Sequence, residues 1–218
     1  MLLLFALCLP GVSTLFLTCN ESGREKEHEF YGKIIYKVSV GGQASGDIIS
    51  RLQGVFGDSI AVSFTDKGYK LEIYSEAPIT EWYDNDKGLI YFVKEGVDTL
   101  YYEVAKEENM LRNAVKREEK HQLLGRECNS YFMEDNQFQI EMWYDSTMHV
   151  SPKRFSRLYQ GHYNRYYADC QAPYLLRSLV MFPVNIRIEA FRIESSEEPD
   201  PAWTEMPDYP KVAFNSTQ

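Results

Sequence analysis

IAVSFTDKGYKLEIY, residues 60–74, decides the fold class of this chain. Apolar and polar side chains alternate on both sides of a short turn that ends in Gly68, and this period of two is typical of half-buried β-strands. Glycine readily adopts the left-handed backbone that tight hairpin turns need. Because the connection is too short for a crossover helix, the two strands are expected to be antiparallel neighbours.

The same alternation recurs along the chain. Residues 137–144 place Phe138, Ile140, Met142 and Tyr144 on one face, and residues 184–190 alternate in the same way. The apolar phase then shifts, which predicts a β-bulge near Ala190. Other strands are predicted at 30–40, 82–83, 89–93 and 99–104, whereas residues 107–120 fit either a helix or a charged edge strand.

A helix is predicted over residues 47–56, whose apolar side chains form one stripe between a cap at Ser45 or Asp47 and a glycine at position 57. A sheet of many strands twists and bends, and a helix inside the bend leaves an apolar interior. The predicted fold is therefore mainly β (α+β): a curved antiparallel sheet or half-barrel with one or two short helices against its concave face.

The start of the chain predicts export. Residues 1–20 contain no charged side chain, and the apolar run at 2–9 ends at Pro10, which is typical of a signal peptide over residues 1–19. A membrane-anchoring helix is the alternative. Cys19 also precedes a charged stretch at 20–28, which is interpreted as a tether, and lipidation of Cys19 is a further alternative. We expect a location in the periplasm, at the outer membrane or outside the cell.

The domain that follows is predicted to span residues 29–194, with an extended, proline-rich tail over 195–218. It contains Cys128 and Cys170. In an oxidising compartment these form one disulfide around a loop of about 40 residues, which contributes about 3–4 kcal/mol; two buried free thiols are the alternative. Two distant cysteines do not predict a zinc site.

Composition excludes some functions. The formal charge of −9 opposes binding to nucleic acid, which requires clustered basic side chains. The four histidines are far apart in sequence and form no metal-binding motif, so neither a metal nor a cofactor is predicted. Glu141, close to Trp143 in sequence, fits the solvent-exposed face of a strand better than a catalytic carboxylate of a glycosidase. A hydrolase would require Glu141, His162 and Asp169 to meet in one cleft, and the chain is predicted not to be an enzyme.

Three segments carry a resemblance to a known group of proteins. FYGKIIY at 30–36, LGRECNSY at 124–131 and MWYD at 142–145 with VSP at 150–152 are similar to segments of uncharacterised exported proteins of Bacteroidota. These proteins include the GLPGLI group, although the GLPGLI signature is absent from this chain. They look related to the LolA/LolB-like half-barrels, which shield lipid or acyl chains in the periplasm. The resemblance implies a half-barrel in the cell envelope.

Together the predicted architecture and the resemblance suggest that a lipid or other hydrophobic ligand lies between the sheet and the helix at 47–56. The tyrosine-rich stretch at 159–167 either lines the mouth of such a cavity or packs its rings over the sheet. An envelope scaffold with a filled core, which binds a protein partner, is the alternative function. The candidate ligand contacts are Ile48, Leu52, Phe56, Phe138, Ile140, Tyr163 and Tyr166.

Overall fold

A computed structural model describes residues 29–106 and 109–214. Twelve strands within these ranges pair into one sheet. The strands are β1 (Tyr31–Gly42), β2 (Ser59–Phe64), β3 (Gly68–Tyr74), β4 (Ile79–Asp84), β5 (Leu89–Lys94), β6 (Leu100–Val104), β7 (Asn113–Leu123), β8 (Arg126–Glu134), β9 (Gln139–Tyr144), β10 (Tyr174–Met181), β11 (Val184–Ser196) and β12 (Lys211–Ala213). The helices are α1 (Gly46–Phe56) and α2 (Tyr163–Cys170), with short 3-10 helices at Pro152–Phe155, Gln160–His162 and Pro201–Trp203.

The order of the strands across the sheet is β12-β6-β5-β4-β3-β2-β1-β11-β10-β9-β8-β7. Neighbouring strands are antiparallel, except that β12 pairs with β6 in parallel. The sheet is curved and open, not a closed barrel, and it carries two short α-helices. The predicted fold class is therefore confirmed.

Alternation along the strands gives the sheet an inner and an outer face. In β1, Ile34, Tyr36 and Val38 are buried, and their cross-strand partners in β2 and β11 belong to the same apolar core. The intervening Lys33 and Lys37 lie on the outer face, where Lys33 pairs with a glutamate of β3. We call the face that carries Ile34 the inner face.

The segment between β9 and β10 covers one part of the inner face. Phe155 and Tyr167 stack with ring centroids 3.9 Å apart, and both are buried. Tyr166 packs edge-on against Tyr131 of β8 and Tyr144 of β9. The rings of the tyrosine-rich stretch therefore pack over the sheet, although they do so from a helix. We call this region the covered part of the inner face.

Helix α1 confirms the helix predicted over 47–56, but it lies beside the sheet instead of over its core. At its C-terminal end β1 extends past β2, so that its backbone there is paired with β11 on one side and has no neighbouring strand on the other. Gln53 replaces that strand: its Oε1 accepts a hydrogen bond from the Val40 amide at 2.9 Å, and its Nε2 donates to the Val38 carbonyl. An edge strand needs such partners for its exposed backbone groups.

The outer face has a smaller core under the C-terminal tail. Trp82, Tyr91 and Leu100 are buried there, with Met206 and Tyr209 of the tail packed against them. The Leu100 amide donates to the Pro210 carbonyl, and β12 follows at the edge of the sheet. The tail is thus docked on the domain through residue 214.

Local irregularities follow the sequence signals. The register of β1 against β11 shifts so that Tyr36 pairs with Ala190 and Ile35 with Arg192, which confirms the predicted bulge near Ala190. The ambiguous segment at 107–120 forms most of the edge strand β7, from Asn113 onward. The predicted signal peptide, the Cys19 lipidation site and the tether at 20–28 lie outside the described residues. Within the described ranges, no helix has the length and apolarity needed to cross a membrane.

Candidate functional site: the inner face beside α1

Next to α1 the inner face carries apolar side chains that are only partly buried. They come from β1, β3, β10 and α1 and pack against the main core, yet each retains contact with solvent. The cross-strand register places them on the same face as the core residues. We call this set the inner strip: Val40, Leu52, Phe56, Leu71, Ile73, Leu179 and Met181. Apolar surface that remains in contact with solvent gains free energy when a hydrophobic ligand covers it.

A carboxyl group lies on the same face beyond the strip. Glu81 of β4 pairs with Leu71 on one side and Phe92 on the other, so it occupies an apolar position of the register. The Tyr69 hydroxyl donates a 2.5 Å hydrogen bond to Glu81 Oε1. Burial raises the pKa of Glu81 to about 7, the Tyr69 hydrogen bond opposes that rise, and the negative charge of Glu103 adds to it. Glu81 is therefore a carboxyl group in an apolar setting whose pKa is raised towards neutral.

An arginine lies on the opposite wall of the curved sheet. Arg177 of β10 pairs with Met142 and Ile188, both buried, in the flanking strands. Its guanidinium lies over the ring of Tyr163, with 5.6 Å between the guanidinium carbon and the ring centroid. Burial raises the pKa of Tyr174 well above its ordinary value, and nearby Arg177 opposes that rise. The inner face thus combines an apolar strip with the carboxyl group of Glu81 on one side and the guanidinium of Arg177 on the other.

A groove of about 730 Å³ lies at the rim, between α1 and the β3–β4 turn. Its lining mixes apolar Val55 and Ile79 with charged side chains, among them Arg51, Glu76 and Lys94. Ile79 belongs to the inner face, because it pairs with Ile73 of the strip. The volume is in the range of small-molecule sites.

The structure separates the predicted ligand contacts into three groups. Leu52 and Phe56 lie in the inner strip, while Phe138 and Tyr163 are partly buried at its border. Ile140 of β9 and Tyr166 of α2 are 1% and 0% exposed and belong to the main core, where Tyr166 packs against Tyr131 and Tyr144. Ile48 is 48% exposed on the solvent side of α1. Core packing therefore removes Ile140 and Tyr166 from any ligand surface.

Cys128 and Cys170 are free thiols in the structure, both buried, on β8 and α2. Burial raises the pKa of Cys128 to about 11 and that of Cys170 to about 12. A thiol with a raised pKa is a poor nucleophile. The disulfide expected between the two cysteines is not formed here.

The three residues that a hydrolase would bring together have different partners. Glu141 lies on the outer face, where it accepts a hydrogen bond from Arg117 at 3.1 Å. His162 is buried beside Asp135, and Asp169 accepts hydrogen bonds from Tyr131 and Arg165. The residues do not share a cleft. Within residues 29–106 and 109–214, no group of three or more His, Cys, Asp or Glu side chains is placed so that it could bind a metal ion.

Sequence reasoning missed Glu81 and Arg177, although the sequence carries a signal for both. Glu81 is in phase with Ile79 and Tyr83, and Arg177 is in phase with Leu179 and Met181. A charged residue in the apolar phase of a strand is either solvated at an edge or placed on a functional face. A search for such positions would have found both.

Comparison with known proteins gives no family. No family model matches the chain, and no curated protein matches it. Among solved structures, two crystal forms of PNGF-II are similar, each with a TM-score of 0.46 and 11% sequence identity. They match over 85% and 86% of this chain, and the chain spans only about a third of the length of PNGF-II, 32% and 31%.

Proposed function

We propose that this chain is an exported, non-enzymatic protein of the cell envelope that binds a hydrophobic ligand on the inner strip, between the curved sheet and α1. The observation that carries the proposal is the contrast in burial on one face: the covered part is closed by its own aromatic side chains, whereas the strip stays accessible. Leaving apolar surface in water costs roughly 25 cal/mol for each Å². A ligand that covers the strip recovers this free energy.

Two further observations support the proposal. The uncharged, apolar start of the chain favours export, and the similarity of residues 30–36, 124–131 and 142–152 to Bacteroidota envelope proteins favours a LolA-like half-barrel. An open sheet with a helix at its rim gives such a ligand an entry path that a closed barrel lacks.

The test compares two neighbouring residues on β10 that lie on opposite faces. Leu179 belongs to the inner strip, while Val180 is on the outer face and 38% exposed. Purified protein is titrated with N-phenyl-1-naphthylamine, a neutral apolar fluorophore. We expect Leu179→Gln to weaken binding at least tenfold and Val180→Gln to leave it unchanged, with thermal unfolding confirming that both variants fold.

Equal effects of the two substitutions, or no binding by the wild type, would reject the proposal. Native mass spectrometry after gentle purification provides a second readout, in which the wild type is expected to carry lipid and Leu179→Gln to have lost it.

One observation favours an interaction protein as a second candidate. Phe182 is 82% exposed at the turn between β10 and β11, and exposed aromatic side chains anchor protein partners. The free edge at β7 does not support partner binding by strand addition, because it is rich in charged residues and bulged between Arg117 and Lys120. A pull-down from envelope extracts that is lost in Phe182→Ser, together with no ligand on the strip, would favour this candidate.

A further inference from the structure

Arg177 is a cation on an apolar face that forms no ion pair with the described residues. Its neighbours in the register, Met142 and Ile188, are 0% and 7% exposed. The Nε atom is shielded from solvent and has no hydrogen-bond partner. In the part of the chain that the structure describes, no carboxylate forms an ion pair with this guanidinium, and its close contact is the ring of Tyr163.

Other arginines near the core have partners. Arg154, which is buried, bonds Glu29 and the Thr65 carbonyl and lies over the ring of Tyr31. Arg177 is partly exposed, but its Nε–H is shielded from water, and a shielded donor without an acceptor is unfavourable. A ligand that supplies an acceptor to this guanidinium would remove that cost.

The position of Arg177 defines what it can bind. Leu179 and Met181 follow it on the same face of β10, so the inner strip ends at the guanidinium. An apolar chain lying along the strip would bring a terminal anionic group to Arg177. The planar guanidinium pairs with a carboxylate through two parallel hydrogen bonds. A monoanion is favoured over a phosphate dianion, because the cost of removing water from the site rises with charge.

We propose that Arg177 binds the carboxylate of a long-chain amphipathic anion whose apolar chain covers the inner strip. This inference rests on the proposed function and adds the chemical class of the ligand. It assigns Arg177 as a ligand-binding residue and the Tyr163 ring as the surface that orients its guanidinium.

The experiment measures displacement of bound N-phenyl-1-naphthylamine from the full chain by three probes of equal chain length: laurate and dodecyl phosphate below their micelle concentrations, and dodecanol below its solubility limit. For the wild type we expect laurate to bind at least tenfold more tightly than dodecanol. Arg177→Met should remove this preference and leave dodecanol affinity unchanged. The control is Arg187→Met, since Arg187 lies on the outer face with Glu189 and should not affect either probe.

Thermal unfolding distinguishes a ligand-binding role of Arg177 from a purely structural one, because loss of a structural residue would lower the unfolding temperature. Because Arg177 forms no ion pair among the described residues, Arg177→Met should unfold at the same temperature as the wild type or a higher one. Arg177→Lys keeps the charge but cannot form two parallel hydrogen bonds to a carboxylate. It should therefore retain only part of the laurate preference.

The outcomes separate the two proposals. Equal binding of laurate and dodecanol to the wild type would overturn the role of Arg177 and leave the apolar ligand site standing. Tighter binding of dodecyl phosphate than of laurate would overturn the carboxylate class. If the fluorophore does not bind and none of the probes alters the thermal unfolding, the ligand site itself is rejected.

Discussion

The two parts of the inner face are built from the same strands but differ in how they are closed. In the covered part, Phe155, Tyr166 and Tyr167 from the β9–β10 segment fill the space above the sheet. In the inner strip, the side chains of β1, β3, β10 and α1 pack against the core on one side and remain partly exposed to solvent on the other. One part therefore contributes mainly to stability, and the other is available for binding.

The polar groups of the two parts differ in whether they have hydrogen-bond or ion-pair partners within the protein. In the covered part the Tyr36 hydroxyl donates to the Tyr174 carbonyl at 2.8 Å, and Tyr131 bonds Asp169. Beside the strip, Glu81 sits in an apolar environment with a raised pKa, and Arg177 lacks a partner among the described residues. Proteins hold such unfavourable groups mainly where they function, because stability alone would replace them.

The largest effect is expected from opening the covered part. Phe155→Ala removes a fully buried ring that stacks on Tyr167 and contacts Phe64, so it should lower the free energy of unfolding by about 3–5 kcal/mol. Urea unfolding followed by tyrosine and tryptophan fluorescence measures the change. Leu52→Ala in the strip is the contrasting variant, with a loss of about 1 kcal/mol because the side chain is already partly exposed. Equal losses in both variants would show that the strip is as closed as the covered part.

The next effect concerns Glu81 and depends on pH. Its pKa is raised in the folded state, so the folded protein binds a proton more tightly than the unfolded chain, and stability falls as the pH rises from about 4.5 through about 7. Glu81→Gln cannot ionise and can still accept the Tyr69 hydrogen bond. We expect it to be more stable than the wild type by about 1–3 kcal/mol at pH 8, and equal to it below pH 4.5.

The control for this titration is Glu141→Gln, which removes the partner of Arg117 on the outer face and should give no gain at pH 8. A stability difference between Glu81→Gln and the wild type that stays constant from pH 4 to 8 would contradict a raised pKa in the folded protein.

Much of the sheet was predictable because its signals are local. Period-two alternation and the glycine turns at 68 and 88 depend on neighbouring residues alone, and the hairpins follow from them. The bulge at Ala190 was also visible as a phase shift. Helix α1 was recognisable from its apolar stripe and Gly57, whose positive φ of 68° ends the helix.

The way in which the β9–β10 segment covers the inner face was harder to predict, because it depends on contacts between distant segments. The tyrosine-rich stretch at 159–167 was recognisable, but nothing local marks Phe155 as a residue that covers the core, since its partners Phe64 and Tyr83 come from β2 and β4, some 70 to 90 residues earlier. For the same reason the sequence favoured α1 as the covering helix, when α2 performs that role. Two of the predicted ligand contacts, Ile140 and Tyr166, lie beneath this cover and belong to the core.

A smaller effect is expected from the hydroxyl of Tyr36. This group is buried and bonded to the Tyr174 carbonyl, so Tyr36→Phe removes a hydrogen bond and leaves a buried acceptor unsatisfied. The free energy of unfolding should fall by about 1–2 kcal/mol in urea titrations. No loss would mean that the covered part admits water to this carbonyl, and that the two parts of the face differ less than their burial indicates.

The smallest effect is expected at Tyr166, in the same covered part. Its hydroxyl is buried and, among the described residues, has no hydrogen-bond partner, although burial raises its pKa well above the ordinary value and keeps it protonated. Tyr166→Phe deletes a polar group that has lost its water and gained no partner, so stability should be unchanged or should rise by up to about 1 kcal/mol. The ring stays in place, and its edge contacts with Tyr131 and Tyr144 are kept. Measured in parallel with Tyr36→Phe, the variant separates hydrogen bonding from ring packing. A loss as large as that of Tyr36→Phe would show that the Tyr166 hydroxyl has a partner, and that the covered part is more polar than its packing suggests.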